Sequence, residues 1–556
     1  MELEAERLPV FSDPLLLRPI YAHQRTLLHE GDFRKVKITV PTACGKTLGA
    51  VLFALRQTFA DRSNLVRALF TYPTNLLSRD QFQHSILGAL QYWVGATVLA
   101  DGSIDPVQQR FVQGAQSFED AVGNGAPTYV LRLPDKLGAR DLYVTILTGE
   151  GLQHLFSEEN KAILGRRKGT YLLRILEVLN QHDHIILSSP DLLGYVAQRC
   201  YSSSAGFYNN RWRDELELKL GEHQVVLDEY HFYDPYTYIN LERTLERLGA
   251  TQWVCLSATS KRDYFPDGQE FDSQSSGRLP ATPDGWRIAS FPIDLDLHRG
   301  EIAIFDTDPQ DDTIYFYNSV IAAHETAVAL DPGGRKITEW TGIRKWVADR
   351  SKLAIATSAA EVGLDLPFRE VNTEFWGNSW EVPSLIQRVG RVGRSEKVGR
   401  SKAHVWITGR EPEVLFKAFE DTTHLSKKQF AAVLSRAFGE ETFNARDYVS
   451  SYLWDEAATQ ELRRYWQTPP EVKKLRFHFR PPNSQAVFNW GGTRFVYDFI
   501  PICNRYFIDK ISDLTDASFW QEMGYSEWKV GQRRDQPLYQ QRYEGKKDKN
   551  ARRHFW

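Results

Sequence analysis

A lysine and a threonine behind a glycine, two adjacent carboxylates, and three arginines spaced by three are the residues of this chain suited to handling phosphate. Gly45, Lys46 and Thr47 close the loop VPTACGKT (40–47), between the apolar runs KVKITV (35–40) and LGAVLFAL (48–55). A strand, a tight loop with Gly-Lys-Thr and a helix make the setting of a phosphate-binding loop. There the backbone N–H groups of Thr42, Ala43, Cys44 and Gly45 would cradle phosphates at the helix N-terminus. Lys46 would reach the β- and γ-phosphates, and Thr47 would hold Mg²⁺. The loop departs from GxxxxGK[ST], because Pro41 stands where the first glycine is usual. An ordinary helix start is the plainer reading of the same residues.

In VVLDEYHFYD (225–234) three apolar residues run into Asp228 and Glu229. Taken alone, this is equally a buried strand leaving the core through a polar turn. Downstream of a phosphate loop it reads as a hydrolytic pair. Asp228 would bind Mg²⁺ through its hydration shell, and Glu229 would orient the attacking water. SAT (257–259) also ends an apolar strand. Ser257 and Thr259 would bond the acidic loop and report on nucleotide state, or simply cap the strand end. In QRVGRVGR (387–394), arginines 388, 391 and 394 are interleaved with Gly390 and Gly393. Such spacing places them on one helical face or along one loop edge. Guanidinium groups suit transition-state phosphate charge; a solvated basic helix is the alternative. In IATSAAEVGLDLPF (355–368), Thr357, Gly363 and Asp365 follow a strand, placed for a phosphate or ribose contact.

These groups need a scaffold. KVKITV, LVRALFTYP (65–73), DLYVTILTG (141–149), HIILSSP (184–190), HQVVLDEY (223–230) and WVCLSATS (253–260) read as buried strands ending in small or polar residues. Near-continuous apolar runs separated by helical stretches favour a parallel sheet covered on both faces. After the loose stretch 265–286, a second series begins with TIYFYNS (313–319), KLAIATSA (352–359), VNTEFWG (371–377) and AHVWITG (403–409). From about residue 415 the pattern turns helical and then aromatic and basic. Between Lys529 and Trp556 stand nine Lys/Arg and three Asp/Glu, with Tyr539, Tyr543, Phe555 and Trp556 among them. Charge beside stacking rings suits a single strand; a solvated tail and a protein-docking surface are the other readings.

With 556 residues, two to four domains are expected. The net charge of -3 confines any nucleic-acid surface to a local patch. Cys44, Cys200, Cys255 and Cys503 form no CxxC pair, which argues against a zinc site or a disulfide framework. The start, MELEAERLPV, lacks the cationic-then-apolar order of a signal peptide. No apolar run reaches the ~18 residues of a membrane span. A soluble, cytoplasmic protein without membrane partners is expected.

The order Gln24, phosphate loop, YPTNLL (72–77), SSPDLL (188–193), DEYH (228–231), SAT, YNS (317–319), ATSAAEVGLDLP (356–367) and QRVGRVGR resembles motifs Q, I, Ia, Ic, II, III, IV, V and VI of superfamily 2 helicases of the DExH type. The resemblance covers roughly 18–410 and implies an α/β fold of two tandem RecA-like parallel-sheet domains, with ATP and Mg²⁺ between them. It implies domain boundaries of 1–262 (motifs Q to III, with an insert near 100–140), a linker at 263–300, and 301–415 (motifs IV to VI). A mainly helical accessory domain with the basic aromatic tail would follow at 416–556. It also implies that Gln24 contacts adenine, that Gln387 helps position water, and that Arg391 and Arg394 act as fingers. His231, with Ser257 and Thr259, would couple the sites. Thr74, Ser189, Ser319 and Thr357 would contact a sugar-phosphate backbone. A surface glutamine and turn-capping hydroxyls remain the alternatives.

ATSAAEVGLDLPF, VLDEYHFYD and the long gap between motifs I and II are similar, more narrowly, to the signature helicase of type I CRISPR interference. Most of that family carry an N-terminal HD nuclease. Here forty residues precede the loop, with only His23 and His29 among them. The chain therefore resembles the helicase-only form of subtype I-D. That implies a translocase on single-stranded DNA, serving a Cascade-like effector complex whose HD nuclease lies on a separate subunit. A DEAH-type RNA helicase and a non-catalytic ATP-gated binding module are the rival readings.

Overall fold

The computed structural model describes residues 1–29, 35–41, 44–73, 77–78, 81–99, 128–147, 172–173, 176–177, 179–197, 211–233, 235–250, 252–258, 269–272, 282–302, 312–330, 337–340, 353–357, 368–377, 381–394, 396, 398–408, 412–420, 422–438, 485–490, 493–498 and 527–529. Thr42, Ala43, Thr74, Thr259, Gly363, Asp365 and the basic tail beyond Lys529 lie outside the described residues. The chain divides into two compact units, Met1–Phe479 and Arg480–Trp556.

The first unit opens with β1 (Glu2–Leu3), β2 (Glu6–Phe11), β3 (Ile20–Tyr21) and α1 (Ala22–His29). It continues through β4 (Lys35–Thr39), α2 (Lys46–Ala60), β5 (Arg67–Thr71), β6 (Thr97–Val98), β7 (Thr128–Arg132), β8 (Asp141–Leu147) and β9 (Asp183–Ser188). Next come α3 (Pro190–Ala197), α4 (Arg211–Gly221), β10 (Gln224–Asp228), α5 (Pro235–Arg247), β11 (Trp253–Ser257) and β12 (Gln269–Asp272). Nine of these strands form one sheet, ordered β12-β4-β11-β10-β5-β9-β8-β7-β6. It is parallel from β12 to β8; β7 and β6 add an antiparallel edge. The described end of the expected 100–140 insert thus extends this sheet.

Burial of both faces explains the continuous apolar runs. Val226 and Val254 join the core under α1 and α2, while Val225, Leu227 and Cys255 face the core under α3 and α5. Alternation along each strand feeds the two layers in turn.

β13 (Gly285–Ser290) pairs with β2, itself paired with β3, in a separate three-stranded antiparallel sheet and is excluded from the second large sheet. Its strands are β14 (Ile293–Arg299), β15 (Thr313–Phe316), β16 (Ile337–Trp340), β17 (Leu353–Ala356), β18 (Glu370–Phe375), β19 (Ser401–Ile407) and β20 (His424–Leu425), with β1. The order is β16-β17-β15-β18-β19-β14-β1-β20. Its helices are α6 (Val320–Leu330), α7 (Val382–Val389), α8 (Pro412–Phe419) and α9 (Lys427–Phe438). The two large sheets give the α/β class and tandem RecA-like arrangement expected. Residues 263–300, expected as a linker, contain β12, β13 and β14, and β14 pairs with β19 over its whole length. Leu415, Phe419, Phe430 and Leu434 of α8 and α9 belong to the core of this second sheet.

In the unit Arg480–Trp556 the described elements are β21 (Gln485–Trp490), β22 (Thr493–Asp498) and β23 (Glu527–Lys529), which form an antiparallel sheet.

Candidate active site

In the first sheet, β11 lies between β4, which leads into the phosphate loop, and β10, which ends in the acids. The C-terminal ends of these neighbours therefore open on one rim, where ligands bind in open α/β sheets. Val40 N donates to Ser257 O at 3.1 Å, tying the loop's entry to the end of β11.

Gly45 takes φ 70°, a left-handed conformation. A Cβ there would stand 2.4 Å from Gln24 Nε2, so glycine answers both backbone and space. Gln24 is buried. Its Nε2 donates to Gly45 O at 2.8 Å, and its Oε1 accepts from Tyr21 N at 2.8 Å. The side chain thus braces the phosphate loop against the start of α1. Cys44 is fully buried, and burial, with Glu6 beside it, pushes its thiol far above the ordinary range. That thiol is no nucleophile.

Lys46 opens α2 and pairs with Glu229, Nζ to Oε1 3.2 Å. The Thr47 hydroxyl donates to Gln81 Oε1 at 3.0 Å. Asp228 is the last residue of β10 and is buried. Burial and then the neighbouring Glu229 push its carboxyl up. Burial would also raise Glu229, but Lys46, His231 and Arg391 outweigh it and hold that carboxyl below its usual value. Glu229 has φ 49°, a strained conformation for a side-chain-bearing residue, and its N–H donates to Asp228 Oδ1 at 2.9 Å. The turn brings the Glu229 carboxylate to Lys46.

His231 Nδ1 lies 2.8 Å from Ser257 Oγ and 3.5 Å from Glu229 Oε2. Its Nε2 contacts the Gln387 amide, which comes from α7 after the second sheet. With the amide nitrogen donating into Nε2, the ring proton sits on Nδ1. Turned over, the amide oxygen would accept from Nε2–H, and Nδ1 of the neutral ring would then accept from the Ser257 hydroxyl.

The arginines separate. α7 ends at Val389, so Arg388 is helical while Arg391 and Arg394 lie in the turn beyond. Arg388 is buried and donates to Asn318 Oδ1 at 3.1 Å, Thr373 Oγ1 at 3.3 Å and Glu374 O at 2.9 Å. Its guanidinium also lies 3.7 Å from Glu381. Arg391 is 7% exposed and acts electrostatically on Glu229. Arg394 Nε donates to Gly390 O at 2.7 Å. Of the two glycines, Gly393 has φ 68°, and a Cβ on it would stand 2.8 Å from Phe291 O.

Ser189, Ser319 and Thr357 follow the ends of β9, β15 and β17. Ser319 Oγ accepts from Ala322 N at 3.3 Å, capping α6. Thr357 is buried, with its N–H on Trp340 O at 3.1 Å. Gln81, which engages Thr47, lies outside every motif quoted from the sequence; Asn318, which engages Arg388, is the middle residue of YNS, where only Ser319 drew a role.

The donor set suits the implied ligands. A buried carboxylate and a hydroxyl, with substrate phosphates completing the shell, match how Mg²⁺ is held. Gly45 at a helix N-terminus and Lys46 match a phosphate chain. Among the described residues no group of three or more His, Cys, Asp or Glu is arranged to hold a metal. No described helix is long and apolar enough to cross a membrane.

No protein-family model matches the chain, and no curated protein does. Solved structures are similar to it at low identity. Cas3 of T. fusca with AMPPNP is 14% identical, with a TM-score of 0.45 over 86% of this chain and 59% of that one. A structure described as a CRISPR-associated protein is 16% identical, with a TM-score of 0.46 over 81% and 54%. A DEAD box protein from the hyperthermophile Methanococcus jannaschii is 14% identical, with a TM-score of 0.31 over 76% and 92%. The chain spans about three-fifths of the T. fusca Cas3 chain.

Proposed function

We propose that the chain is an ATP-dependent helicase that translocates on single-stranded DNA. One observation carries the ATP reading. A polar chain runs from Lys46 to Glu229 to His231 to Gln387, and so joins the phosphate loop, the acidic strand end and the helix of QRVGRVGR. Residues some 340 positions apart in sequence (46 and 387) meet around one carboxylate.

The roles follow from the surroundings. Glu229, kept ionised by Lys46, can accept a hydrogen bond from water and orient it. A γ-phosphate would compete with Glu229 for Lys46, which frees the carboxylate when substrate is present. Arg391, whose charge already reaches Glu229, can offset charge developing on the same phosphate. Thr47 and Asp228 are the groups to hold Mg²⁺, which when bound neutralises phosphate charge.

The DNA and defence reading rests on the sequence: ATSAAEVGLDLPF and VLDEYHFYD are similar to the signature helicase of type I CRISPR interference. In this proposal the chain unwinds target DNA for a Cascade-like complex, and a partner subunit with an HD site cuts it. Single-stranded DNA should stimulate hydrolysis more than RNA of the same length. The purified chain should not cut labelled DNA with ATP and Mn²⁺, Ni²⁺ or Co²⁺. Stimulation by RNA alone would favour the DEAH-type reading. No hydrolysis by the wild type, alongside an equally inactive Lys46→Ala, would favour an ATP-gated binding module.

A further inference from the structure

The loop that carries Arg391 and Arg394 is docked on the corner of a two-stranded ribbon. β1 and β14 pair antiparallel, Leu3 against Ile293, and β2 and β13 do the same, with Glu6 against Ser290. The two pairings keep one register across the corner, so residues 2–10 and 285–294 run side by side from the second large sheet into the small one. Glu4 and Ala5 on one strand, and Phe291 and Pro292 on the other, lie between the paired stretches and form the corner. Pro292 stiffens it, because the ring fixes φ.

Three hydrogen bonds join the arginine loop, Ser401 and this corner. Phe291 N donates to Gly393 O at 2.9 Å, Ser401 N donates to Pro292 O at 3.1 Å, and Gly393 N donates to Ser401 Oγ at 3.1 Å. Both backbone groups of Gly393 are thereby engaged. Its neighbour Val392 is buried in the core of the second sheet and bridges Phe368. The two residues between Arg391 and Arg394 are thus both pinned. Two of the three bonds run from backbone to backbone, and any donor but proline could make them. The third requires a hydroxyl at position 401, whose residue is fully buried. At the other end of the ribbon β2 pairs with β3, and Tyr21 N donates to Gln24, which braces Gly45. One ribbon therefore supports both the phosphate loop and the arginine loop.

We propose that Ser401 is a positioning residue for phosphoryl transfer: its hydroxyl, acting through Gly393, holds the loop of Arg391 and Arg394 where the arginines meet the transferring phosphate. The proposal rests on the nucleotide-hydrolase reading and adds to it a residue outside all the helicase motifs.

Ser401 acts only through the loop, so its effect is selective. Without the hydroxyl, the buried Gly393 N–H loses its acceptor, and the loop must shift to find another. A displacement of about 1 Å in a reacting constellation can cost about 100-fold in rate. Binding of ATP in its ground state, carried by Gly45, Lys46 and Thr47, should persist.

The test uses the full chain with single-stranded DNA, well below the melting temperature of each protein. Ser401→Ala, Ser401→Cys and Ser401→Thr are compared with wild type and Lys46→Ala. The readouts are kcat and KM for ATP, affinity for a non-hydrolysable ATP analogue, and affinity for ADP with aluminium fluoride, a mimic of the phosphoryl group in transfer. Ser401→Ala should lower kcat and affinity for the mimic by about 10-fold each, with KM and analogue affinity within about twofold of wild type. Ser401→Thr keeps a hydroxyl and suits a strand, and it should restore both. Wild-type kcat in Ser401→Ala overturns the proposal, even beside a lowered melting temperature, the mark of a merely structural serine. Equal losses for analogue and mimic overturn it too, because the whole site would then have given way. Should Ser401→Ala fail to fold, Ser401→Cys decides: its thiol nearly keeps the volume but accepts weakly, so the same selective loss is expected. If the wild type hydrolyses ATP no faster than Lys46→Ala, the hydrolase reading itself fails. If it does hydrolyse ATP and Ser401→Ala matches it, that reading stands and this one falls.

Discussion

Gln387 hydrogen-bonds His231, so a helix that follows a strand of the second sheet touches the turn that follows the acidic strand of the first. The same ring reaches Ser257 and Glu229. A shift of either sheet moves the group that holds Glu229. The two residues should act as one unit. Gln387→Leu and His231→Ala should each lower DNA-stimulated hydrolysis by about 10-fold while ATP binding persists, and the double variant should be no worse than either single one. The measurement is a double-mutant cycle on turnover with and without single-stranded DNA. Losses that add would mean the contact transmits nothing.

Glu229 is aimed by a strained turn and held ionised by Lys46. Glu229→Gln keeps the shape and a partner for Lys46 but removes the base. ATP should still bind, while turnover should fall by at least ~100-fold, the scale of general base catalysis. Affinity and steady-state hydrolysis on one preparation check this. Near-normal turnover would return VVLDEYHFYD to a strand leaving its core.

Arg388 and Arg391 look equivalent in QRVGRVGR but sit in different surroundings. Arg388 has Asn318, Thr373, Glu374 and Glu381 around it. Removing it leaves a buried carboxylate without its cation, so Arg388→Met should cost about 3–5 kcal/mol of stability. Arg391→Ala should leave the melting temperature near wild type and abolish DNA-stimulated hydrolysis, with single-strand binding intact in the absence of nucleotide. Thermal unfolding and hydrolysis of both variants separate the roles. A reversed pattern would reassign the finger.

Much of this was legible before the structure, and the boundary has a physical basis. Runs such as KVKITV and HQVVLDEY became β4 and β10 because burial on both faces leaves an unbroken apolar string. β14 escaped notice because its alternation, Ile293, Leu295 and Leu297, follows a loose Gly- and Pro-rich stretch. The pairing of Glu2–Leu3 with β14 had no local signal at all, since its partners lie about 290 residues away. At the site, residue types announced Lys46, Asp228 and Glu229. The inward turn of Arg388 and the brace of Gln24 on Gly45 depend on tertiary neighbours, and spacing cannot encode those.

His184 and His223, on β9 and just before β10, are both buried, with their Nε2 atoms 2.6 Å apart. Each Nδ1 faces a backbone carbonyl, His182 O at 3.0 Å and Leu220 O at 3.1 Å. Two imidazolium rings could not make this contact. Burial pushes both values down, His223 to about 4 and His184 well below the usual 6.5. The sign follows: below pH 6.5 the unfolded chain takes up protons that the folded chain refuses. Stability is fully present above pH 6.5 and is lost as pH falls towards 4, by about 1.4 kcal/mol per pH unit for each proton that the folded pair refuses. The melting temperature of the wild type should therefore drop through this window. In a His184→Phe, His223→Gln double variant, with neither ring left to titrate, the same acidification should cost less. Thermal unfolding from pH 7 to 4 measures it, and parallel curves for the two proteins would show that this pair is not what acid breaks.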